Sequence, residues 1–174
     1  AKANPETETQ TADGWTIIAG ASAMSSEGIK GAAFLTVISG FGKTVSILAA
    51  FNDPNYLDKV TAFVSAIDLD KTAQVMPPVS TPSVANQSNQ SGKFGLMTYT
   101  APAGWTEQIF TNGVLFKPSD LPTGEVLMIQ IMLPLNASGT LEQALAQSYS
   151  EAATMYKGTL MNYAGSGKNY ATIE

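Results

Sequence analysis

One apolar stretch, residues 124–135, constrains the fold more than any other part of the chain. Side chains in an extended strand alternate between its two faces. Over residues 126–133, one face carries only apolar side chains, and the other carries apolar side chains and Gln130. A strand of this kind is covered on both sides. The sequence therefore predicts a central strand, with further elements packed against both faces of its sheet.

Two strands in the first half are predicted to form an antiparallel hairpin. Residues 32–39 are rich in β-branched and aromatic side chains, and Gly40-Phe41-Gly42 follows as a turn. Residues 43–51 alternate between apolar side chains and the smaller Thr44, Ser46 and Ala50, with Leu48 as the exception. This alternation predicts one buried and one solvent-exposed face. A shorter strand is predicted over residues 15–19, before a turn rich in Gly and Ser.

Two helices are predicted from start signals and apolar spacing. Asp53 before Pro54 is typical of an N-cap followed by the first helical position. The predicted apolar face of this helix is Leu57, Val60, Phe63, Val64 and Ile67. Thr140 and Gln143 have the spacing of a capping box. The apolar face of this second helix is Leu141, Leu145, Tyr149, Ala152 and Tyr156, and Gly158 is its predicted stop.

The remaining strands are predicted in the second half. Residues 94–100 form one strand, and Asn112-Gly113 is a strong signal for a tight hairpin because both residues tolerate positive φ. Residues 159–163 and 169–173 are weaker strand candidates. The predicted organisation is a disordered tail (1–13), a β-meander with a helix (14–70), a linker (71–92) and a second half of the same domain (93–174).

A short motif occurs twice. Gly14-Trp15-Thr16 recurs as Gly104-Trp105-Thr106, and strands and then a helix follow each copy. The repeat is explained either by chance or by two related halves, and the sequence leaves both open.

Residues 94–105 combine a strand, a turn with Pro102 and then Gly104-Trp105, and an apolar strand ending at Pro134 and a helix start at residues 138–143 follow. In this order the second half resembles the opening of the PsbP-like and DcrB-like families. Residues 14–70 resemble the closing part of the same domain, so the halves stand in circularly permuted order. The resemblance implies an α+β sandwich, in which two main helices pack on an antiparallel sheet of about six to eight strands. It also implies a mostly non-catalytic accessory protein, exported in many members.

The chain could alternatively carry the back of one domain and the front of the next. The two halves would then pair between chains, and domain exchange would give a homodimer.

Composition restricts the chemistry that the chain can perform. It contains no His, Cys or Arg, and only 13% of its residues are charged, with a net charge of -5. The usual base near neutral pH and the preferred ligands of zinc and copper are therefore missing. An acidic surface of low charge argues against nucleic acid as a partner. We predict no cofactor, no metal site, no catalytic residue and no membrane span.

Three motifs are candidate catalytic sites. Residues 40–44 end like a phosphate loop, but a strand follows where that loop needs a helix, which favours a hairpin turn. Asp68 and Asp70 match the D-x-D-x-T pattern of haloacid-dehalogenase-like phosphatases, but they follow a predicted helix, which favours an exposed helix end. A Ser–Lys dyad would pair Ser25 or Ser26 with Lys30.

Four aromatic residues are the candidate ligand-binding residues: Trp105, Tyr99, Trp15 and Phe110. Aromatic residues near turns more often fill the core, and that alternative is favoured. We expect a non-enzymatic binding or accessory module for an unknown protein or small molecule, periplasmic or secreted in a bacterium. The alternatives are a small hydrolase with a Ser–Lys or Asp–Asp site and a domain-exchanged structural dimer. The small-x-small start of the chain followed by a polar segment adds to the expectation of export.

Overall fold

The computed structural model describes residues 8–26, 29–75, 83–86, 91–156 and 159–161. The two helices in this part of the chain are α1 (Leu57–Ser65) and α2 (Leu141–Tyr156), and a 3-10 turn at Pro54–Tyr56 precedes α1. The strands are β1 (Glu8–Gln10), β2 (Thr16–Ser26), β3 (Ile29–Gly40), β4 (Lys43–Phe51), β5 (Asp68–Leu69), β6 (Ser83–Asn86), β7 (Ser91–Phe94), β8 (Met97–Thr100), β9 (Trp105–Phe110), β10 (Gly113–Pro118), β11 (Leu127–Met132), β12 (Leu135–Asn136) and β13 (Thr159–Met161).

The fold is α+β, with an antiparallel main sheet. Its strand order is β1-β2-β3-β4-β11-β10-β9-β6, and β12 and β13 join it by pairing with β4 and β2. The predicted central strand is confirmed, because β11 lies between β4 and β10 and five of its six side chains are buried. The pairing of β4 with β11 joins the two halves of this chain in one sheet. Exchange of halves between two chains stays a prediction.

One face of the main sheet carries the larger core. Alternate side chains of β4 and β11, such as Ile47 and Ile129, pack there against α1 through Val60 and Phe63. The small sheet β5-β8-β7 covers the same face and contributes Met97. Leu57 was predicted on the apolar face of α1, and this is wrong: it is exposed at the start of the helix, one turn before Val60.

The opposite face is covered by α2 over β2, β3 and β4. Leu145 of α2 packs in a second core with Leu35 and Leu48, among others. The prediction that β4 has one solvent-exposed face is therefore wrong, since every side chain from Val45 to Phe51 is buried. Side chains of β4 do alternate between its two faces, but the small side chains on the second face pack against α2 and not against solvent.

Two tight turns differ in how well the sequence predicted them. The β3–β4 hairpin turns at Phe41-Gly42 as expected, and both residues have positive φ. The β9–β10 hairpin turns at Thr111-Asn112, one residue earlier than predicted. Neither of these two residues has positive φ, since Phe41 is the one non-glycine residue of the described chain that does. Gly113 instead begins β10, where an added Cβ would lie 2.5 Å from the carbonyl oxygen of Ile131. Close strand approach, rather than turn conformation, explains this glycine.

The helix start signals are confirmed. The Asp53 carboxylate accepts a hydrogen bond from the Asn55 amide at 2.9 Å and caps the 3-10 turn, so α1 itself begins four residues later than Asp53. At α2, the Thr140 amide donates to Gln143 Oε1 at 2.9 Å, and the Gln143 amide donates to Thr140 Oγ1 at 3.3 Å. Gly158 and the side chains of Tyr149, Ala152 and Tyr156 lie outside the described residues.

Several boundaries differ from the predicted segments. The predicted tail contains β1, which pairs with β2, and the predicted linker contains β6, which pairs with β9. The strand predicted over residues 94–100 is two strands, because Gly95 at φ +60 and Leu96 turn β7 back onto β8. Residues 159–161 form β13, whereas residues 169–173 lie outside the described chain. The proposed division into tail, halves and linker stays a prediction.

The repeated Gly-Trp-Thr motif has the same local structure in both copies. Gly14 and Gly104 have φ of +95° and +76°, and Trp15 and Trp105 are buried. Each copy precedes three consecutive antiparallel strands, β2-β3-β4 and β9-β10-β11, and then a helix. The two helices nevertheless cover opposite faces of the sheet. The repeat is thus one of strand order and not of the complete arrangement.

Candidate functional site

The four aromatic candidates lie at different places in the structure. Trp105 stacks on Phe63 of α1 at a ring distance of 6.3 Å, and Tyr99 contacts the ring of Phe116 edge-on at 4.9 Å. Trp15 lies at the start of β2, where its ring contacts Phe41 at 5.1 Å. Trp15, Tyr99 and Trp105 are buried side chains of the larger core, and Phe110 is half-buried at the end of β9. Their role in ligand binding stays a prediction.

A buried carboxyl group lies beside Tyr99. The Tyr99 hydroxyl donates to Glu107 Oε1 at 2.7 Å, and Glu107 is only 3% exposed. Its second oxygen, Oε2, is buried without a hydrogen-bond partner in the structure. Burial and the bond to Glu107 raise the pKa of Tyr99 far above its usual value. This pair ties the small sheet, through β8, to β9 of the main sheet.

The two aspartates of the phosphatase-like motif have local contacts. Asp70 Oδ1 accepts hydrogen bonds from the amide and the hydroxyl of Thr72 and from the Ala73 amide. The bonds from Thr72 are the main reason why the pKa of Asp70 is lowered. Asp68 Oδ1 accepts from the Leu69 amide, and Asp68 is exposed on β5. Among the described residues, no group of three or more potential ligands could hold a metal ion.

The other two candidate motifs are hairpins. Residues 40–44 form the β3–β4 turn, where the Lys43 ammonium donates to the carbonyl oxygen of Lys71. Ser25 and Lys30 are paired across the β2–β3 hairpin, and the Ser25 side chain lies outside the described ones.

No helix in the described part of the chain is long and apolar enough to cross a membrane.

A pocket of about 180 Å³ lies between α2 and one end of the sheet. Its walls come from β4, from the end of β11 and the segment after it through β12, and from α2. At its base, Ser46 Oγ of β4 and Ser148 Oγ of α2 are 2.8 Å apart, and both residues are buried. A bond between two hydroxyl groups uses one of their two hydrogens. The second O–H of the pair can donate to one further acceptor.

The pocket is lined by hydrogen-bonding and apolar groups without charge. None of its eleven lining residues is charged. Such a surface can donate and accept hydrogen bonds, but it has no titratable side chain to transfer a proton near neutral pH. The hydroxyl residues are Thr44, Ser46, Ser138 and Ser148, the carboxamide residues are Asn112, Asn136 and Gln147, and the apolar residues are Met132, Leu133, Leu135 and Ala144.

Sequence reasoning missed this pocket. The sequence predicts Ser46 on an exposed face and predicts no role for Ser148. The signal that was present is the spacing of Ser148 from Leu141 and Leu145, which places all three on one face of the helix. The sequence also gives no prediction for Glu107, although it lies on the same face of β9 as the apolar Trp105 and Ile109.

Comparisons of the chain with protein-family models, with curated proteins and with solved structures each found no match.

Proposed function

We propose that the chain is a non-enzymatic binding module that takes a small uncharged ligand in the pocket between α2 and β4. The uncharged, hydrogen-bonding lining of this pocket carries the proposal. A cavity of about 150 Å³ is large enough to bind benzene, so 180 Å³ accommodates one six-membered ring. Ligand sites combine apolar walls with a few placed polar groups, and this pocket has both.

The hydrogen-bonded hydroxyl groups of Ser46 and Ser148 give the wall of the pocket a polar point. Both hydroxyls are buried, so their positions are set by the packing of α2 on β4. A neutral ligand that bonds to the pair loses no charge solvation on entry, whereas a charged ligand would lose it without gaining an opposite charge. The pocket therefore favours neutral hydroxyl- or amide-bearing molecules over ions.

Ligand-observed NMR with a panel of neutral and charged small molecules tests this proposal. Neutral sugars, polyols and amides should receive saturation from the protein, and matched carboxylates and amines should not. Ala144→Phe places a ring in the pocket and should abolish the signal. Ala146→Phe is the matched control, because residue 146 is exposed on the same helix and does not line the pocket. Equal binding by both variants would contradict the assigned site.

We also propose that the protein is exported and belongs to a PsbP-like fold with circularly permuted halves. The support for export is the low charged fraction of 13% and the surface rich in uncharged polar residues. The support for the family is the order of hairpin, apolar strand and capped helix after Gly104-Trp105. Recovery of the chain inside spheroplasts, rather than in the periplasmic or culture fraction, would contradict export.

The hydrolase alternative makes a separate prediction. The Asp70 carboxylate is bonded to Thr72 and Ala73, which gives it a local structural role. Phosphatase activity that disappears in Asp68→Asn and Asp70→Asn variants would favour the enzyme and count against a purely binding role.

A further inference from the structure

The outer edge of β2 is paired over only part of its length. Its inner edge pairs with β3 over all eleven residues of the strand. On the outer edge, β1 pairs with residues 16–18 and β13 pairs with residues 23–25. Within the described chain, no strand pairs with residues 19–22 on this side. We call these four residues the open edge.

The open edge presents backbone groups for which the described strands supply no partner. In an antiparallel ladder, neighbouring residues of a strand point their amide and carbonyl groups to opposite sides. The Thr11 amide donates to the Trp15 carbonyl oxygen at 2.8 Å, so odd-numbered residues along β2 point toward β1 and away from β3. Ala19 and Ala21 therefore point their N–H and C=O groups outward. Such groups at the edge of a sheet are a template for a further strand.

The open edge lacks the features that usually prevent pairing at the edge of a sheet. Natural edges carry charged side chains, proline or a bulge. β2 contains no charged residue and no proline, and its register with β3 continues without interruption from Thr16 to Ser26. The side chains of residues 19–22 are all small. A further strand can therefore approach this edge without a steric or electrostatic barrier.

The two flanking strands restrict what can pair with the open edge. β13 and β1 lie along one line beside β2, and both run antiparallel to it. β13 ends opposite Ala23 and β1 begins opposite Ile18, which leaves room for four residues, or about 14 Å of extended chain. A longer strand from another molecule would collide with β1 or β13. The space therefore favours a segment that continues directly from one of these two strands.

The register of β1 argues against a continuation from its side. Counted backward from Glu8, which pairs with Ile18, the residue opposite Ala21 would be Pro5. Proline has no amide hydrogen to donate to the outward carbonyl oxygen of Ala21. A continuation of β1 would thus leave this carbonyl group without a donor.

The register of β13 suits a continuation along the open edge. Counted forward from Met161, the residues after β13 place Tyr163 opposite Ala21 and Gly165 opposite Ala19. These two residues lie outside the described part of the chain. Each has an amide hydrogen and a carbonyl oxygen to exchange with the outward groups of its alanine partner.

The neighbouring strand offers a contact for the Tyr163 ring in this register. Side chains at directly paired positions share one face of a sheet, so the Tyr163 side chain would lie beside Ala21 and, one strand further, Phe34. Phe34 is half-buried and stacks on Phe51 with a ring distance of 5.2 Å. Ala21 is too small to cover the Phe34 ring, and a tyrosine beside it is long enough to extend toward that ring.

We propose that residues 162–165 dock on the open edge as a continuation of β13, so that the outer edge of β2 is closed from β13 to β1. The segment is Asn-Tyr-Ala-Gly, which carries no charge. Gly165 and Gly167 allow the chain to turn away from the sheet before it reaches Glu8. The pairing protects an uncharged edge from association with other copies of the chain.

Amide hydrogen exchange of the full chain, followed by NMR, tests this proposal. The outward amides of Ala19 and Ala21 should be protected, as is the Gly20 amide that faces β3. Tyr163→Pro removes the amide that faces Ala21 and should accelerate exchange at both alanines by at least about tenfold, the factor that corresponds to one hydrogen bond. Ala164→Pro is the matched control and should retain protection, because the amide of residue 164 would point away from β2, where proline is tolerated.

A second measurement needs no variant. In an antiparallel pair, residues that are not hydrogen-bonded to each other have their Cα atoms about 4.5 Å apart. The proposed register makes Gly20 and Ala164 such a pair, so a nuclear Overhauser contact should join their Hα atoms. Absence of this contact in the full chain would overturn the proposal, and so would free exchange at Ala19 and Ala21.

Two further outcomes would assign the open edge to another occupant and overturn the proposal. Protection that persists in Tyr163→Pro but disappears when residues 1–7 are deleted would assign it to the segment before β1. Protection that rises with protein concentration would assign it to a second copy. The Gly20 amide reports in each variant whether β2 and β3 remain paired.

Discussion

Removal of the Tyr99 hydroxyl should cost more stability than its small size suggests. The hydroxyl donates a hydrogen bond to the carboxyl group of Glu107, a residue that is 3% exposed. The other oxygen of that carboxyl group has no hydrogen-bond partner in the described structure. Tyr99→Phe leaves Glu107 buried with neither oxygen bonded. Hydrogen bonds to charged groups and the desolvation of unpaired ones each amount to about 1.5–3 kcal/mol, so we expect a loss of about 2–3 kcal/mol in the free energy of unfolding.

The second step of this prediction is a double-mutant cycle. Glu107→Met alone should also destabilise the fold, because it leaves the Tyr99 hydroxyl buried without an acceptor. The double variant replaces both partners by apolar groups of similar size, and such replacements are close to neutral. It should therefore be more stable than the sum of the single losses implies, by about 1–3 kcal/mol of coupling energy.

Urea unfolding at pH 7, followed by tryptophan fluorescence, measures these losses, since Trp15 and Trp105 are both buried in the core. Tyr56→Phe is the control, because it removes another tyrosine hydroxyl bonded to a glutamate, here Glu125, at a position nearer to solvent. Its loss should be much smaller than that of Tyr99→Phe. Strictly additive single and double variants, or a Tyr99→Phe loss below about 0.5 kcal/mol, would refute the reasoning.

Three further predictions concern the close strand approach at Gly113, the cap of α2 and the response to pH. Gly113→Ala places a Cβ 2.5 Å from the Ile131 carbonyl oxygen and should lower the free energy of unfolding by about 1–3 kcal/mol in urea melts; a neutral effect would contradict the close strand approach. Thr140→Ala removes the cap of α2 and should cost about 1 kcal/mol, with faster amide exchange in the first helical turn; unchanged exchange would count against the cap. The hydrogen bond to Glu125 raises the pKa of Tyr56 to about 12. The contribution of this bond to the stability of the fold is therefore complete below pH 10 and is lost as the pH rises to 12. Tyr56→Phe should reduce that loss, and an unchanged profile of stability against pH would contradict the assignment.

The parts of the fold that the sequence predicted are those with short-range signals. The central strand is apolar on both faces, the capping box needs only Thr140 and Gln143, and the β3–β4 turn is bracketed by glycines. Each of these signals lies within a short segment, so it depends little on where distant elements pack. The pairing of β11 with β4 is harder to predict from the sequence, because it joins segments about eighty residues apart.

The candidate pocket could not be predicted because it depends on how distant elements pack. Ser46 and Ser148 are 102 positions apart, and each looks like an ordinary surface serine in its own segment. Only the placement of α2 over β4 brings them together and buries them. The aromatic candidates show the converse case: Trp15 and Trp105 stand out in the sequence, and both side chains are buried in the core, as the favoured alternative predicts.

The most direct test of the account is chemical-shift mapping of the chain, labelled with nitrogen-15, during titration with a neutral saccharide. The account predicts saturable shifts in the amides around Ser46, Asn136 and Ser148, on the α2 side of the sheet. Shifts concentrated instead around Tyr99 and Trp105, on the opposite face, would contradict it and favour the aromatic residues as the ligand site.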